Sequence, residues 1–177
     1  MLEKFRVNSM EALPLQLTIA DPKGAYLTVT RRTSEWTLWI VALSCALHAT
    51  EEYLTGWQRW AVETLDIRMP TFWFVFFNAV LVVAALVLAR VGWKQPMLSL
   101  IIPGATLVNG VFFHILPTVL QNKISPGVYT AIFLYLPFSS WAFLGAWRDG
   151  VAKLSLAVAF LLGAVQMTAV VMVARWL

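Results

Sequence analysis

The chain has 177 residues, 60% of them hydrophobic and only 12% charged, with a net charge of +4. A soluble domain carries about 45–50% apolar and about 25% charged residues, so this composition excludes a disordered chain, a collagen-like chain and an ordinary soluble domain. It fits a polytopic membrane protein, and at about 20 apolar residues per span the hydrophobic share fills at most about five spans.

Residues 1–35 read as a polar N-terminal extension. Glu3, Lys4, Arg6, Glu11, Asp21 and Lys23 leave no sustained apolar run of the kind a signal peptide needs, so the first hydrophobic segment is expected to stay as an anchor. Pro14, Pro22 and Gly24 interrupt the extension, residues 26–30 suit a short extended piece, and Leu13, Leu15, Leu17 and Ile19 suit contact with a membrane surface.

The first span is expected over about residues 36–54 and contains His48, Glu51 and Glu52. Cys45 lies in it as a small packing residue, and a single cysteine excludes an internal disulfide and a cysteine-rich zinc site. Residues 57–70, with two tryptophans and four charges, suit a helix lying at the interface that Pro70 stops, with Thr71 as the next cap. The second span, 72–89, holds no charge, and Asn78 is its strongest hydrogen-bonding side chain. After a basic turn comes the third span, 97–120, with Pro103-Gly104, Asn109-Gly110, His114 and Pro117. The prolines predict kinks that could open a cavity, and Asn109-Gly110 predicts close helix packing. Ser125 is a candidate cap for a fourth span over 126–147, and a fifth covers 154–174 with Gln166 as its one strongly polar side chain. Most of the nine tryptophans fall at expected interfaces, where they suit a belt at headgroup level.

The expected fold is therefore all-α: a five-span transmembrane helical bundle in residues 36–177, forming one domain behind the extension. Basic residues scatter over segment ends without a stripe, which argues against nucleic acid. Most of the 13 lie on one side, leaving Arg59, Arg68, Lys123 and Arg175 on the other. The positive-inside rule then places the N-terminus inside and the C-terminus outside the cell (inner) membrane.

Glu51 and Glu52 are the only acidic residues well inside the spans. An ionisable group in a membrane costs about 3 kcal/mol on insertion scales and is kept for a task. His48, Glu51 and Glu52 stand at i, i+3 and i+4, hence on one helix face. Counted from the inner side, His48, Asn109 and Gln166 lie at roughly 18 Å, Asn78 at roughly 20 Å and His114 at roughly 25 Å, a shared polar layer in the outer half.

His48-Ala49-Thr50-Glu51-Glu52 resembles the H-x-x-E-E signature of the HXXEE family of small bacterial membrane proteins, whose function is not established. Asn109–His114 (NGVFFH) and Ser125–Ala131 (SPGVYTA) are similar to its later blocks, so the resemblance spans roughly residues 36–147. Ser125 stands where an Asn is expected, which keeps a helix cap. The resemblance implies an integral membrane protein and supplies no reaction. His48 with Glu52 is also similar to the His and Glu of sterol isomerases of the emopamil-binding type, an analogy at the level of the fold only.

Two chemistries suit these residues. His48, Glu51, Glu52 and His114 are candidate ligands for Zn or Fe, with a position left for water. The second Glu would then be general base, making Glu51 and Glu52 candidate catalytic residues. Asn109, Asn78 or Gln166 would stabilise an oxyanion or support the ligands. Without a metal, the same carboxyls and imidazoles can hold or pass a proton. Both lead to a membrane enzyme, a metal-dependent hydrolase or an acid–base isomerase, acting on a lipidic small molecule. The alternatives are a proton- or metal-coupled transporter, against which stands the missing internal repeat, and a structural or assembly protein. In that last case Glu51 and Glu52 only reach the headgroup region and bond the helix end.

Overall fold

The chain divides into two compact units, Met1–Arg32 and Thr33–Leu177. The computed structural model describes residues 16–20 and 26–30 by their backbone and residues 34–176 in full. The expected resting of Leu13, Leu15, Leu17 and Ile19 on a membrane surface lies outside what is described.

In the first unit β1 (Gln16–Ala20) pairs antiparallel with β2 (Tyr26–Thr30), in a register running from Gln16 opposite Thr30 to Ala20 opposite Tyr26. The short extended piece expected over residues 26–30 is β2, paired with a strand that was not expected, and the all-α reading holds for the rest of the described chain. The run YLTVT is rich in β-branched and aromatic residues, which favour extended backbone.

The second unit is helical. Its elements are α1 (Thr37–Thr55), α2 (Trp57–Leu65), α3 (Thr71–Val91), α4 (Pro96–Gln121), α5 (Val128–Arg148) and α6 (Lys153–Ala174). Among the described residues four helices, α3 to α6, are long and apolar enough to cross a membrane, with mean hydropathies of 2.6, 1.7, 1.3 and 2.3. The expectation was five. The first segment does form a helix of 19 residues, but His48, Glu51 and Glu52 dilute its apolar content below that of the other four. Only 17% of the most apolar stretch of α3 and 11% of that of α6 is buried. Helices apolar on every side yet so little covered by protein suit a lipid surround.

Two glycines let α4 and α6 approach. A Cβ on Gly163 would lie 2.5 Å from the Ala105 nitrogen and the Ile101 oxygen, and one on Gly104 3.1 Å from the Phe160 Cα. Gly104 is thus a close-packing residue, as small residues are between membrane helices.

At the amino-terminal end of α1, Leu38, Trp93, Leu100, Ala142 and Ala159 form one apolar cluster. There Asp149 accepts bonds from the Ser34 N–H and from Trp93 Nε1, each at 2.9 Å, while Glu35 accepts from the Trp93 N–H. Trp93 and Trp60 are buried, which removes both from the expected belt. At the other end α1 turns at Gly56 (φ 81°) into α2, and Trp60, Ala61, Ile67, Met69, Phe74 and Ala174 pack together. The short helix expected over 57–70 is therefore present and carries its apolar side into the bundle. Thr71 does not cap α3; its hydroxyl accepts from Gln58 Nε2 at 3.1 Å.

A π-helical segment precedes a proline in both α4 and α5: Asn109–Ile115 before Pro117, and Ala131–Tyr135 before Pro137. Proline has no N–H to donate and its ring crowds the carbonyl four residues back, so the preceding turn widens. The expected kink at Pro117 takes this form. It sits beside the chemistry, because His114 is in the first segment and Tyr135 in the second.

Candidate metal centre

His48 and Glu52 are one turn apart on α1, and His114 reaches them from α4. All three are buried, with His114 at 0% and His48 at 3% exposed. One ligand atom from each of the three lies within 4.8 Å of the others. Glu52 Oε1 stands 3.6 Å from His48 Nε2 and 3.5 Å from His114 Nε2. The two rings meet edge-on with centroids 4.6 Å apart.

The opposite ring nitrogens are engaged. His48 Nδ1 is 2.8 Å from Thr130 Oγ1 and His114 Nδ1 is 3.2 Å from Ser125 Oγ. A hydroxyl has one proton to give. That of Thr130 faces Glu51 Oε2 at 2.5 Å and the Gly127 carbonyl at 3.1 Å, both acceptors only. Toward His48, then, Thr130 accepts, and Nδ1 carries the imidazole proton. The Ser125 hydroxyl can give its proton to the Pro126 carbonyl at 3.3 Å and accept from His114 in the same way. With both protons on Nδ1 the two Nε2 atoms are bare lone pairs, and both are buried without a hydrogen-bond partner.

Three acceptors thus converge with no donor among the described residues. Separations of 3.5 and 3.6 Å are too long for good hydrogen bonds. They match the distance of about 3.3–3.6 Å that neighbouring ligands keep around a tetrahedral metal with bonds of about 2.0–2.2 Å. Two histidines and one carboxylate, each imidazole braced from behind, are a ligand set for Zn or non-haem Fe.

Glu51 stands apart from this trio. Its carboxylate accepts from the N–H groups of Tyr129 and Thr130, at 3.2 and 2.8 Å, and from the Thr130 hydroxyl. Those N–H groups belong to the first turn of α5, which has no side-chain cap of its own. A carboxylate at a helix amino-terminus satisfies free donors and complements the helix dipole. Its expected place as a ligand or free general base is not the one it takes. Ser125 is not a helix cap either; α5 starts after Gly127, and the Ser125 hydroxyl serves His114.

Gly127, missed in the sequence, closes the site. Its φ is +91°, and a Cβ there would lie 2.8 Å from His48 Cε1, 2.9 Å from His114 Cε1 and 3.0 Å from Glu52 Cγ. Thr130 and Tyr135 were missed as well. Tyr135 is buried with its ring 4.3 Å from that of His48. Their only signal was the similarity of the SPGVYTA block, which contains Gly127 and Thr130 but not Tyr135.

Beside the trio is a cavity of about 190 Å³. His48, Glu52, Asn78, Asn109, Tyr135 and Gln166 supply most of its polar lining, so the polar residues assigned to one layer by depth do meet, with His114 behind them. Asn78 Nδ2 donates to the Phe74 carbonyl at 3.0 Å, and Asn109 Nδ2 lies 3.6 Å from Met167 Sδ. Asn109 Oδ1 is buried without a partner.

Fold and site together define a class: a helical protein with four membrane-length apolar helices and a buried cluster of two histidines and a glutamate. Residues 39–142 match the family described as "Protein of unknown function with HXXEE motif". The chain belongs to that family. No curated protein and no solved structure matches it.

Proposed function

We propose that this chain is an integral membrane enzyme that holds one Zn²⁺ or Fe²⁺ through His48, His114 and Glu52 and hydrolyses a lipidic substrate. The convergence of two bare Nε2 atoms on a buried carboxylate carries the reading. A metal held by two histidines and a carboxylate keeps a position for water and activates it near neutral pH, which is hydrolytic chemistry. His48 and Glu52 also line the cavity, so a substrate there reaches the ligands themselves. Asn109 and Gln166, on the same walls, are placed to orient its polar group. Glu51 acts through Thr130, holding His48 in the tautomer that leaves Nε2 free.

In this reading α1 is a fifth crossing. Its 19 residues span about 28 Å against a hydrocarbon core of about 30 Å. The N-terminus is inside and the C-terminus outside the cell membrane, following the excess of basic residues. Metal-free acid–base work by the same groups is the second reading. Against it stand the 3.5 and 3.6 Å separations, long for a shared proton.

Elemental analysis of detergent-purified protein tests the proposal. Wild type is expected to carry one Zn or Fe per chain, and Glu52→Ala and His114→Ala to lose it while remaining monodisperse. Wild type that is metal-free, and that takes up neither Zn²⁺ nor Fe²⁺ saturably on titration, sinks it.

A further inference from the structure

The cavity beside the trio has a shape that the metal site alone does not require. One wall is α3, with Phe77, Leu81 and Ala84; the facing wall is α6, with Gln166, Met167 and Val170. Elsewhere each helix leans on a different neighbour, α3 on α1 and α6 on α4. At one end the first turn of α4, residues 96–99, packs against both. At the other end the cavity runs up against the apolar cluster built on Trp60, Ile67 and Met69, which seals it with α2 and the loop that follows. What stays free is the side, between α3 and α6 at mid-length. Val80 belongs to the lining and is still 50% exposed, so the cavity reaches the outer face of α3.

Its chemistry is two-sided. Most of the wall is hydrocarbon, which suits an acyl or isoprenoid chain. About 190 Å³ is little more than the roughly 150 Å³ of an apolar cavity that takes one benzene, hence room for one chain segment. The polar part is a set of side-chain amides with capacity to spare. Asn109 Oδ1 lacks a donor, and Gln166 has no hydrogen-bond partner among the described residues. A buried acceptor left unpaired costs about 1–3 kcal/mol, so Asn109 Oδ1 calls for a ligand that donates there, while the half-buried Gln166 amide can give that ligand a second bond. A hydroxyl or an amide does both, whereas a simple ester cannot donate.

We infer that the cavity takes a single-chain lipid bearing a hydroxyl or amide group, which enters sideways from the membrane between α3 and α6. This rests on the proposed membrane enzyme and names its substrate class. The tail lies along the apolar walls, the donor group meets Asn109 Oδ1, and the neighbouring bond comes against His48 and Glu52.

Photolabelling tests it. The protein is placed in vesicles of phosphatidylethanolamine and phosphatidylglycerol with a monoacylglycerol carrying a diazirine in its chain, and adducts are mapped by mass spectrometry. Adducts are expected on Phe77, Met167 and Val170, displaced by unlabelled monoacylglycerol. Ala84→Trp, which fills the opening, is expected to cut them at least tenfold, with Ala84→Phe as the milder variant should the first not fold. Val83→Trp, on the outward face where Val83 is 60% exposed, is expected to leave them unchanged. A fatty-acid methyl ester with the same diazirine chain, having no donor, is expected to label the cavity much more weakly. Adducts spread over outward residues such as Leu161 and Val165 and indifferent to Ala84→Trp overturn the inference, as does equal cavity labelling by the methyl ester. Metal content is read on the same samples. Labelling without metal supports the lipid cavity and refutes the metal centre; metal without labelling does the reverse.

Discussion

The Thr130 hydroxyl is the most revealing group to remove, because it touches no ligand-binding atom. Thr130→Val keeps the side-chain volume and deletes one oxygen. That oxygen accepts the His48 Nδ1 proton at 2.8 Å and donates to Glu51 at 2.5 Å. Its loss strands a buried N–H, at a cost of about 1–3 kcal/mol. It also frees the proton to settle on Nε2, the nitrogen that the metal needs. The metal-free protein escapes that cost by the shift and the metal-bound one cannot, so at about 1.4 kcal/mol per tenfold metal binding weakens by about 5–150-fold. Removing such a bracing partner elsewhere costs about 10–100-fold in metal affinity, so the two scales agree. The assay is competition for Zn²⁺ with a chromophoric chelator in detergent, on wild type, Thr130→Val and Thr130→Ser. The valine variant is expected to bind about 10–100-fold more weakly, and the serine variant, which restores the oxygen, close to wild type. Equal affinity in all three, with Glu52→Ala still abolishing binding, would refute the assigned tautomer and the bracing role. Metal would then be held without help from Thr130.

Gly127→Ala is expected to abolish metal binding and lower the unfolding temperature, since a Cβ at φ +91° meets both histidines and Glu52 within 3.0 Å; thermal melts with metal analysis check it. Gly163→Ala sets a Cβ 2.5 Å from two backbone atoms of α4. It is expected to force α6 outward at about 1–3 kcal/mol, with unfolding in denaturant as the measure. Reporters fused at either end test the orientation: an outside signal is expected only from a fusion after Leu177, and one from the N-terminus overturns it.

The helices were legible and the division of labour within the motif was not. Segment ends at 72–89, 97–120 and 154–174 fall within about two residues of the helices, because prolines, glycines and charges mark both ends of each apolar run. Choosing between Glu51 and Glu52 is another matter. At 3.6 residues per turn Glu51 lies about 60° to one side of His48 and Glu52 about 40° to the other. Both count as one face, yet they meet different neighbours: His114 from α4 on the Glu52 side, the first turn of α5 on the Glu51 side. Only packing decides that. Depth put His114 about 7 Å beyond His48, and the two were still candidate ligands of one metal. Glu52, one turn further along α1, stands between those levels, and the π segment of α4 carries the imidazole of His114 to it. Gly127 was hidden for a similar reason. Pro126-Gly127 reads locally as the start of a helix, and nothing in the run tells that two histidines from other helices press on its Cα.

These contacts also bear on how α1 can lie among the apolar helices at all. Charged side chains at the centre of a membrane helix cost about 3 kcal/mol each on insertion scales, so Glu51 and Glu52 with His48 make α1 a poor span by itself. Glu51 is relieved by three donors from residues 129 and 130, and bonds to a charged group contribute about 1.5–3 kcal/mol apiece. All three come from α5. Glu52 has no donor of that kind among the described residues; what faces it are the two Nε2 lone pairs. The adjacent carboxylates are therefore satisfied by different means. One is satisfied by the fold itself, through the amino-terminus of α5, and the other, in the proposed reading, by a cation that joins it to the histidines. In that reading the two successive glutamates divide the work: Glu51 ties α1 to α5 through Tyr129 and Thr130, and Glu52 faces the two histidines.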